Sequence, residues 1–198
     1  MVTRGKRTAD ARLRIRLRRP TARDADAFIA AARASRRLHG SWVTAPDNRT
    51  AFRSYLARFA QSLRHAQHVG YVAVRVEDES IVGVMNLSEI VRGAFESAYL
   101  GYYAFAPHAG KGYMTEALLL LLDAAYGEVG LHRVEVNVQP TNARSLALVE
   151  RVGFAREGYS RRYVRIGSRW RDHLRFAMVV EDWPASRRAL LASVRERQ

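Results

Sequence analysis

Leu13, Ile15 and Leu17 alternate with arginines, a period of two that predicts a half-buried first strand. Helical spacing takes over after Pro20 and Thr21. Asp24 and Asp26 stand in the early turns, and Ala27, Phe28, Ala31 and Ala32 mark one face. Residues 35–46, with Leu38, His39, Trp42 and Pro46, keep neither period and read as an irregular loop. A second helix is predicted over about 47–65, capped by Asp47 or Asn48, with Phe52, Tyr55, Leu56, Phe59 and Leu63 at helical spacing. Strands are predicted over 71–76 and 81–90 around the tight turn at Glu77, Asp78, Glu79 and Ser80, and over 98–106, ended by Pro107. A helix through Glu116 to about Tyr126, a strand over 132–139 and a short helix over 142–152, stopped by Gly153, come next. Strands over 154–166 and 169–180 form a last hairpin turning at Gly167 and Ser168. Residues 1–12 read as a basic N-terminal arm, 13–183 as the folded domain, and 184–198 as a basic, peripheral C-terminal tail. The order βααβββαβαββ, without repeat or linker, predicts one α+β domain: a mixed, mostly antiparallel sheet flanked by helices.

A chain of 198 residues that is 48% hydrophobic supports one domain with a substantial core. The absence of cysteine excludes disulfides and thiolate metal sites and points to a reducing, cytoplasmic setting. The basic N-terminus is not followed by an apolar targeting segment, and no stretch is long enough to span a membrane. The net charge of +14, supplied almost wholly by arginine, attracts polyanions such as nucleic acid, the ribosome or a phosphorylated cofactor. Charge alone leaves open an arginine-rich surface with no specific target.

The chemistry concentrates in Ala109-Gly110-Lys111-Gly112-Tyr113-Met114, between the strand ended by Pro107 and the helix through Glu116. Such a junction directs free backbone N–H groups and the positive end of a helix dipole at one point, which suits a pyrophosphate. Glycine there lets a phosphate approach the backbone. A P-loop would need glycine at Phe105 and Ser or Thr at Gly112, so it is excluded. The dinucleotide fingerprint fails at Thr115, where its third glycine should stand.

This run resembles the acyl-CoA-binding motif of the GNAT superfamily of N-acetyltransferases, and most of all its RimJ/RimL branch of ribosomal-protein-alanine N-acetyltransferases. The downstream segment from Asn142 through Ser145 and Val149 to Gly153 and Phe154 resembles the same family's Asn-to-Gly-Phe helix, and Arg156, Gly158, Trp170 and Asp172 its closing hairpin. The resemblance covers roughly residues 13–180. It implies acetyl-CoA as acetyl donor, lying in a V-shaped gap between strands 98–106 and 132–139. Backbone of Tyr103, Ala104 and Phe105 would pair with the pantetheine arm. Amides of Ala109, Gly110, Lys111, Gly112, Tyr113 and Met114 would hold the pyrophosphate, and Asn142 would bond the pantetheine or thioester region. Ala109 stands where the family usually has Arg or Gln, which removes a side-chain contact and no backbone donor.

The implied reaction is direct transfer to a primary amine. The amine must lose a proton, the oxyanion needs donors, and the departing thiolate needs a proton. The tyrosine that many members use as the acid falls at Val149, so that role does not transfer. Ser145, three residues after Asn142, is the branch's alternative donor to the sulfur. Glu89 is the expected base, with Glu96 a second carboxylate, although water suffices for an α-amine of pKa about 7.7. Tyr102, Tyr103 and Tyr163 are candidates to line an acceptor slot, with His39 and Trp42 in the loop expected beside it and His108 beside the cofactor. His65 and His68 lack a third ligand, so no metal is expected.

The acceptor is expected to be the N-terminal α-amine of a ribosomal or other protein, with association with the ribosome part of that expectation. A small amine or antibiotic is the alternative. A different class also fits the charge: an RNA- or ribosome-binding module, with Arg12, Arg14, Arg16, Arg18 and Arg19 joined to Arg161, Arg162, Arg165, Arg169, Arg171 and Arg175 in one basic surface. Monomer and homodimer are both compatible with the sequence.

Overall fold

The computed structural model describes residues 13–63 and 65–196. The expected N-terminal arm, with Arg12, lies outside the described residues. β1 (Ile15–Arg18) leads into α1 (Ala25–Ala34), α2 (Arg36–His39) and α3 (Arg49–Arg58). The meander β2 (Val69–Arg75), β3 (Ile81–Val91) and β4 (Ser97–Ala104) follows. Then come α4 (Tyr113–Tyr126), β5 (Arg133–Val138), α5 (Ala143–Val152), β6 (Ala155–Ile166), β7 (Arg169–Val179) and α6 (Trp183–Arg195). The seven strands form one sheet in the order β1-β2-β3-β4-β5-β7-β6, antiparallel throughout except between β4 and β5.

Strand alternation divides the core. On one face Met85, Leu87, Leu100, Val134 and Val136 pack under α4, α5 and α6. On the other Val72, Val84 and Phe105 pack against Phe28 of α1 and Phe52 of α3. The second layer covers only the β2–β4 half, so the same face of β5, β7 and β6 lacks a helical cover among the described residues.

Three expectations need correction. The segment 35–46, expected as an irregular loop, opens with the short helix α2. The second helix stops at Arg58 rather than near His65. Asn48 Oδ1 caps its start by accepting the Ala51 N–H at 2.9 Å. At its end the Phe59 carbonyl accepts from Arg19, and the Phe59 ring turns onto β2, where a Cβ at Gly70 would lie 2.8 Å from it. The tail is not peripheral either. It forms α6, whose Trp183, Leu190, Leu191 and Val194 enter the core, while Trp183 Nε1 and Arg187 Nε both donate to Asp123. These apolar positions recur at helical spacing, but the arginines among them hid the stripe. Among the described residues no helix is long and apolar enough to cross a membrane.

Candidate active site

Pro107 closes β4 in a short 3-10 turn, and the chain then passes through Gly110 and Gly112 with φ of +79° and +83°. These left-handed values favour glycine. Gly112 is the N-cap of α4 and brings no side-chain cap, so the helix's first donors stay free. The Thr115 and Glu116 amides bond the Gly112 carbonyl, and the Ala109 amide bonds Ala106 O at 3.3 Å. The amides of Gly110, Lys111, Gly112, Tyr113 and Met114 have no backbone acceptor among the described residues. A Cβ on Gly110 would meet nothing within 4 Å, so the cradle is open to a ligand. The Met114 side chain packs down on Gly83, leaving only its amide for the cradle. Five free donors at a helix N-terminus suit a pyrophosphate; Ala109, expected among them, has its amide engaged.

Behind the cradle lies a pair of residues that the sequence did not single out together. Glu116, in the first turn of α4, is fully buried. Arg14 meets it twice, with its N–H on Oε2 at 2.7 Å and its Nε on Oε1 at 2.7 Å. The same guanidinium donates to Lys111 O at 3.0 Å and lies 4.6 Å from the Tyr113 ring centroid. An unpaired carboxylate there would oppose an incoming phosphate. Arg14 neutralises it and ties the turn to β1.

The V-shaped gap is a consequence of register. β4 and β5 pair only at Ser97 with Arg133, Ala98 with Val134 and Tyr99 with Glu135, and then separate. The Phe105 amide donates to Val82 O at 2.9 Å. Alternation therefore turns the peptide groups of Tyr103 and Phe105 toward β3, and those of Tyr102 and Ala104 toward the gap. Of the three backbones expected to pair with the pantetheine, only that of Ala104 faces the gap, and its carbonyl accepts from His39 Nε2 at 2.8 Å. The backbone of Tyr102 faces the gap, and that of Tyr103 faces β3.

Ser145 and Tyr102 meet across the gap. Their hydroxyl oxygens are 2.7 Å apart. Burial pushes the Tyr102 hydroxyl up to about 12, and the bond to Ser145 offsets part of that rise. Tyr102 therefore keeps its proton at neutral pH and can donate to Ser145 Oγ, freeing the serine O–H for another acceptor. Asn142 caps α5, its Oδ1 accepting the Ser145 N–H at 3.2 Å, which leaves its NH2 for a ligand. Val149 is fully buried and offers no chemistry.

The structure does not bring Glu89 to this pair. Glu89 is exposed at a β3 bulge with φ +52°, and its amide meets His68 Nδ1 at 3.4 Å. Glu96 shapes a turn in which its carbonyl accepts from His132 and Arg133. His108 borders the cradle, its pKa pushed down by burial and then by the Arg75 and Lys111 charges. His39 is buried against Tyr103, and Tyr163 reaches the Tyr99 hydroxyl at 3.3 Å. Among the described residues no group of three side chains could hold a metal.

The single basic surface also requires correction. β1 and β6 are opposite edges of the sheet, six strand spacings or about 29 Å apart. Arg14, Arg16 and Arg18 are paired with Glu116, Glu79 and Asp24.

Comparison with known proteins agrees with this geometry. Residues 14–155 match the family model described as the acetyltransferase (GNAT) domain. The probable N-acetyltransferase YjcK of Bacillus subtilis is 35% identical over 130 residues, covering 66% of this chain and 72% of that protein. The [ribosomal protein uS5]-alanine N-acetyltransferase of Escherichia coli is 40% identical over 111 residues; the match spans 56% of this chain and 57% of that enzyme. Mycobacterium smegmatis RimJ, solved in complex with CoA-disulfide, superposes with a TM-score of 0.83 at 30% identity, covering 91% of this chain and 90% of that one. With a matched model over most of its length, a glycine cradle and a splayed β4–β5 pair, the chain belongs to the GNAT acetyltransferase family.

Proposed function

We propose that the chain moves acetyl from acetyl-CoA to the N-terminal α-amine of a protein. The observation that carries this is the placement of two unlike sites along one gap: free amides at Gly110 to Met114, and the Ser145–Tyr102 pair within it. The amides and the α4 dipole hold the pyrophosphate, and the gap-facing peptide groups of Tyr102 and Ala104 align the pantetheine arm. Bound acetyl-CoA supplies an activated acyl group on a good leaving sulfur. Ser145 donates a hydrogen bond to that sulfur, with its hydroxyl oriented by Tyr102. The sequence has no cysteine to carry an acyl group, which favours direct transfer within a ternary complex.

Water takes the amine's proton, because an α-amine of pKa about 7.7 is substantially neutral at cellular pH. The similarity to the E. coli enzyme supports a protein acceptor, and action on a ribosomal protein in the cytoplasm belongs to the same reading. The test is an acceptor screen with acetyl-CoA, read by mass spectrometry, that includes ribosomal-protein N-terminal peptides, polyamines and aminoglycosides. Acetylation confined to small amines would replace the protein acceptor. No transfer to any amine, together with tight salt-sensitive RNA binding, would replace the enzyme reading.

A further inference from the structure

Past β5 the sheet narrows to two strands. β5 pairs with β7 as far as Val138 with Leu174, so residues 169–173 of β7 pair with β6 alone. This ribbon projects beyond the C-terminal end of β5, the end at which β4 and β5 splay. Residues 156–175 hold seven arginines and two carboxylates. Neither carboxylate serves a ribbon guanidinium. Glu157 accepts from Arg133 of β5, and Asp172 accepts from the Tyr159 hydroxyl and, at 2.7 Å, from the Arg162 backbone N–H. Arg161, Arg162, Arg165, Arg169 and Arg171 make no ion pair among the described residues. The arginines of β1 and β2 all do, with Glu79, Asp24 and Asp78.

The ribbon is also shaped for exposure. Its register slips so that residues 161–163 of β6 oppose Asp172 alone, and Arg162 is held there at φ +47°, a left-handed value that strains a non-glycine residue. Such a bulge turns side chains off the ordinary alternation, here those of two arginines. Trp170 is 59% exposed and sits opposite Arg165, with Tyr159 exposed on the same face. Arg169 and Arg171 belong to the other face, opposite Ile166 and Val164. A free ring among unpaired guanidinium groups suits a nucleic-acid strand, whose phosphates meet the charges while a base stacks on the ring. Unstacked bases are a property of RNA loops and ends, not of a duplex. Charge on both faces does not suit a bilayer, which takes apolar residues from one face. The same charge opposes edge pairing with a second copy.

We propose that the β6–β7 ribbon binds single-stranded RNA, with its unpaired arginines on successive phosphates and Trp170 under a base. This binding is a function beyond acetyl transfer and does not depend on the acceptor. It holds the strand beside the open end of the gap, outside the donor cradle.

Fluorescence anisotropy with a labelled, unstructured RNA of about twelve nucleotides tests it. Arg165→Gln/Arg169→Gln/Arg171→Gln should weaken binding about 100-fold at low salt and reduce the slope of log affinity against log salt by about 2, for three lost phosphate contacts. Trp170→Ala should weaken binding about tenfold and leave that slope unchanged. Arg36→Gln/Arg49→Gln/Arg53→Gln removes the same charge from α2 and α3 and should weaken binding by less than about threefold. Acetyl-CoA affinity by calorimetry and the thermal midpoint should stay unchanged in all three variants. Equal weakening by the two triple variants would overturn the ribbon as a site, because net charge alone would then hold the RNA. Equal affinity for duplex DNA, binding to phosphatidylglycerol vesicles in place of RNA, or dimerisation through the ribbon would overturn it too. A parent protein that binds no RNA refutes the proposal and leaves acetyl transfer intact; one that binds RNA yet acetylates no amine refutes the acetyltransferase reading instead.

Discussion

The two faces of the β4–β5 gap are built in different ways. The donor face comes from two short stretches of chain: the turn from Gly110 to Met114, and the start of α5 with Asn142 and Ser145. The face opposite is assembled from Tyr99 and Gly101 on β4, Asn86 on β3 and Asn137 on β5, with Tyr55 of α3 behind. In the proposed function backbone amides serve the first, because every coenzyme A molecule presents the same phosphates. The second offers side chains instead, which is what a family with differing acceptors would vary. A site made of consecutive residues leaves a motif; a site made of every second residue on three strands resembles an ordinary solvent-facing pattern.

The largest effect should come from Gly112→Glu, which acts on the donor face alone. Its φ of +83° strains any side chain, a Cβ would come within 3.1 Å of Arg14 Nη2, and the carboxylate would stand among the amides meant for phosphate. Acetyl-CoA affinity should fall by about 1,000-fold, or about 4 kcal/mol, in calorimetry. Retained affinity would mean that the cradle holds no phosphate, and the contrast between the faces would collapse.

Arg14→Met comes next. It leaves Glu116 buried and uncompensated, so unfolding free energy should fall by about 3 kcal/mol in denaturant titration, and acetyl-CoA affinity should weaken. Adding Glu116→Gln should restore most of the stability, since the cost is that of the orphaned charge. If the double variant is no more stable than Arg14→Met, the pair acts through packing rather than charge.

These residues show how far the sequence was legible. Strand order followed from period, while α2 and α6 did not; Gly153 ended α5 as expected, and the glycine turn could be read as a candidate anion site because such a site would be carried by adjacent amides. Arg14 and Glu116 are 102 positions apart and their contact is set by β1 lying beside α4. Each alone is an ordinary arginine or glutamate. Tyr102 looked like any strand tyrosine until β4 and α5 brought it to Ser145. The choice between Tyr102 and Tyr103 as gap-facing backbone depended on one hydrogen bond, from Phe105 to Val82, that no periodicity encodes.

The Ser145–Tyr102 pair gives a smaller, kinetic effect. Ser145→Ala should lower kcat by about 10- to 100-fold with the KM for acetyl-CoA little changed. Tyr102→Phe should lower it less. The double variant should fall no further than Ser145→Ala, because Tyr102 acts through the serine. With the Tyr102 hydroxyl pushed up to about 12, neither variant should move the rise of the pH–rate profile; only its height should change. Additive losses would make Tyr102 a donor in its own right.

Glu89→Gln should have the smallest effect. Glu89 follows Ser88, which pairs with Tyr99 at the mouth of the β4–β5 gap, yet the bulge leaves it exposed beside His68. Glu135, paired with Tyr99, is tied to two arginines, and in the proposed function water takes the amine's proton. The rate should then rise with pH as the free α-amine deprotonates, with a midpoint near its ordinary pKa of about 7.7. This rise should be the same in the parent and in Glu89→Gln, because losing an exposed carboxylate alters neither the amine nor water. A flattened rise in the variant would instead make Glu89 the base. It would require the bulge to swing toward Gly101 when the acceptor binds, which would bring a free carboxylate to a face whose Glu135 is already paired with arginines.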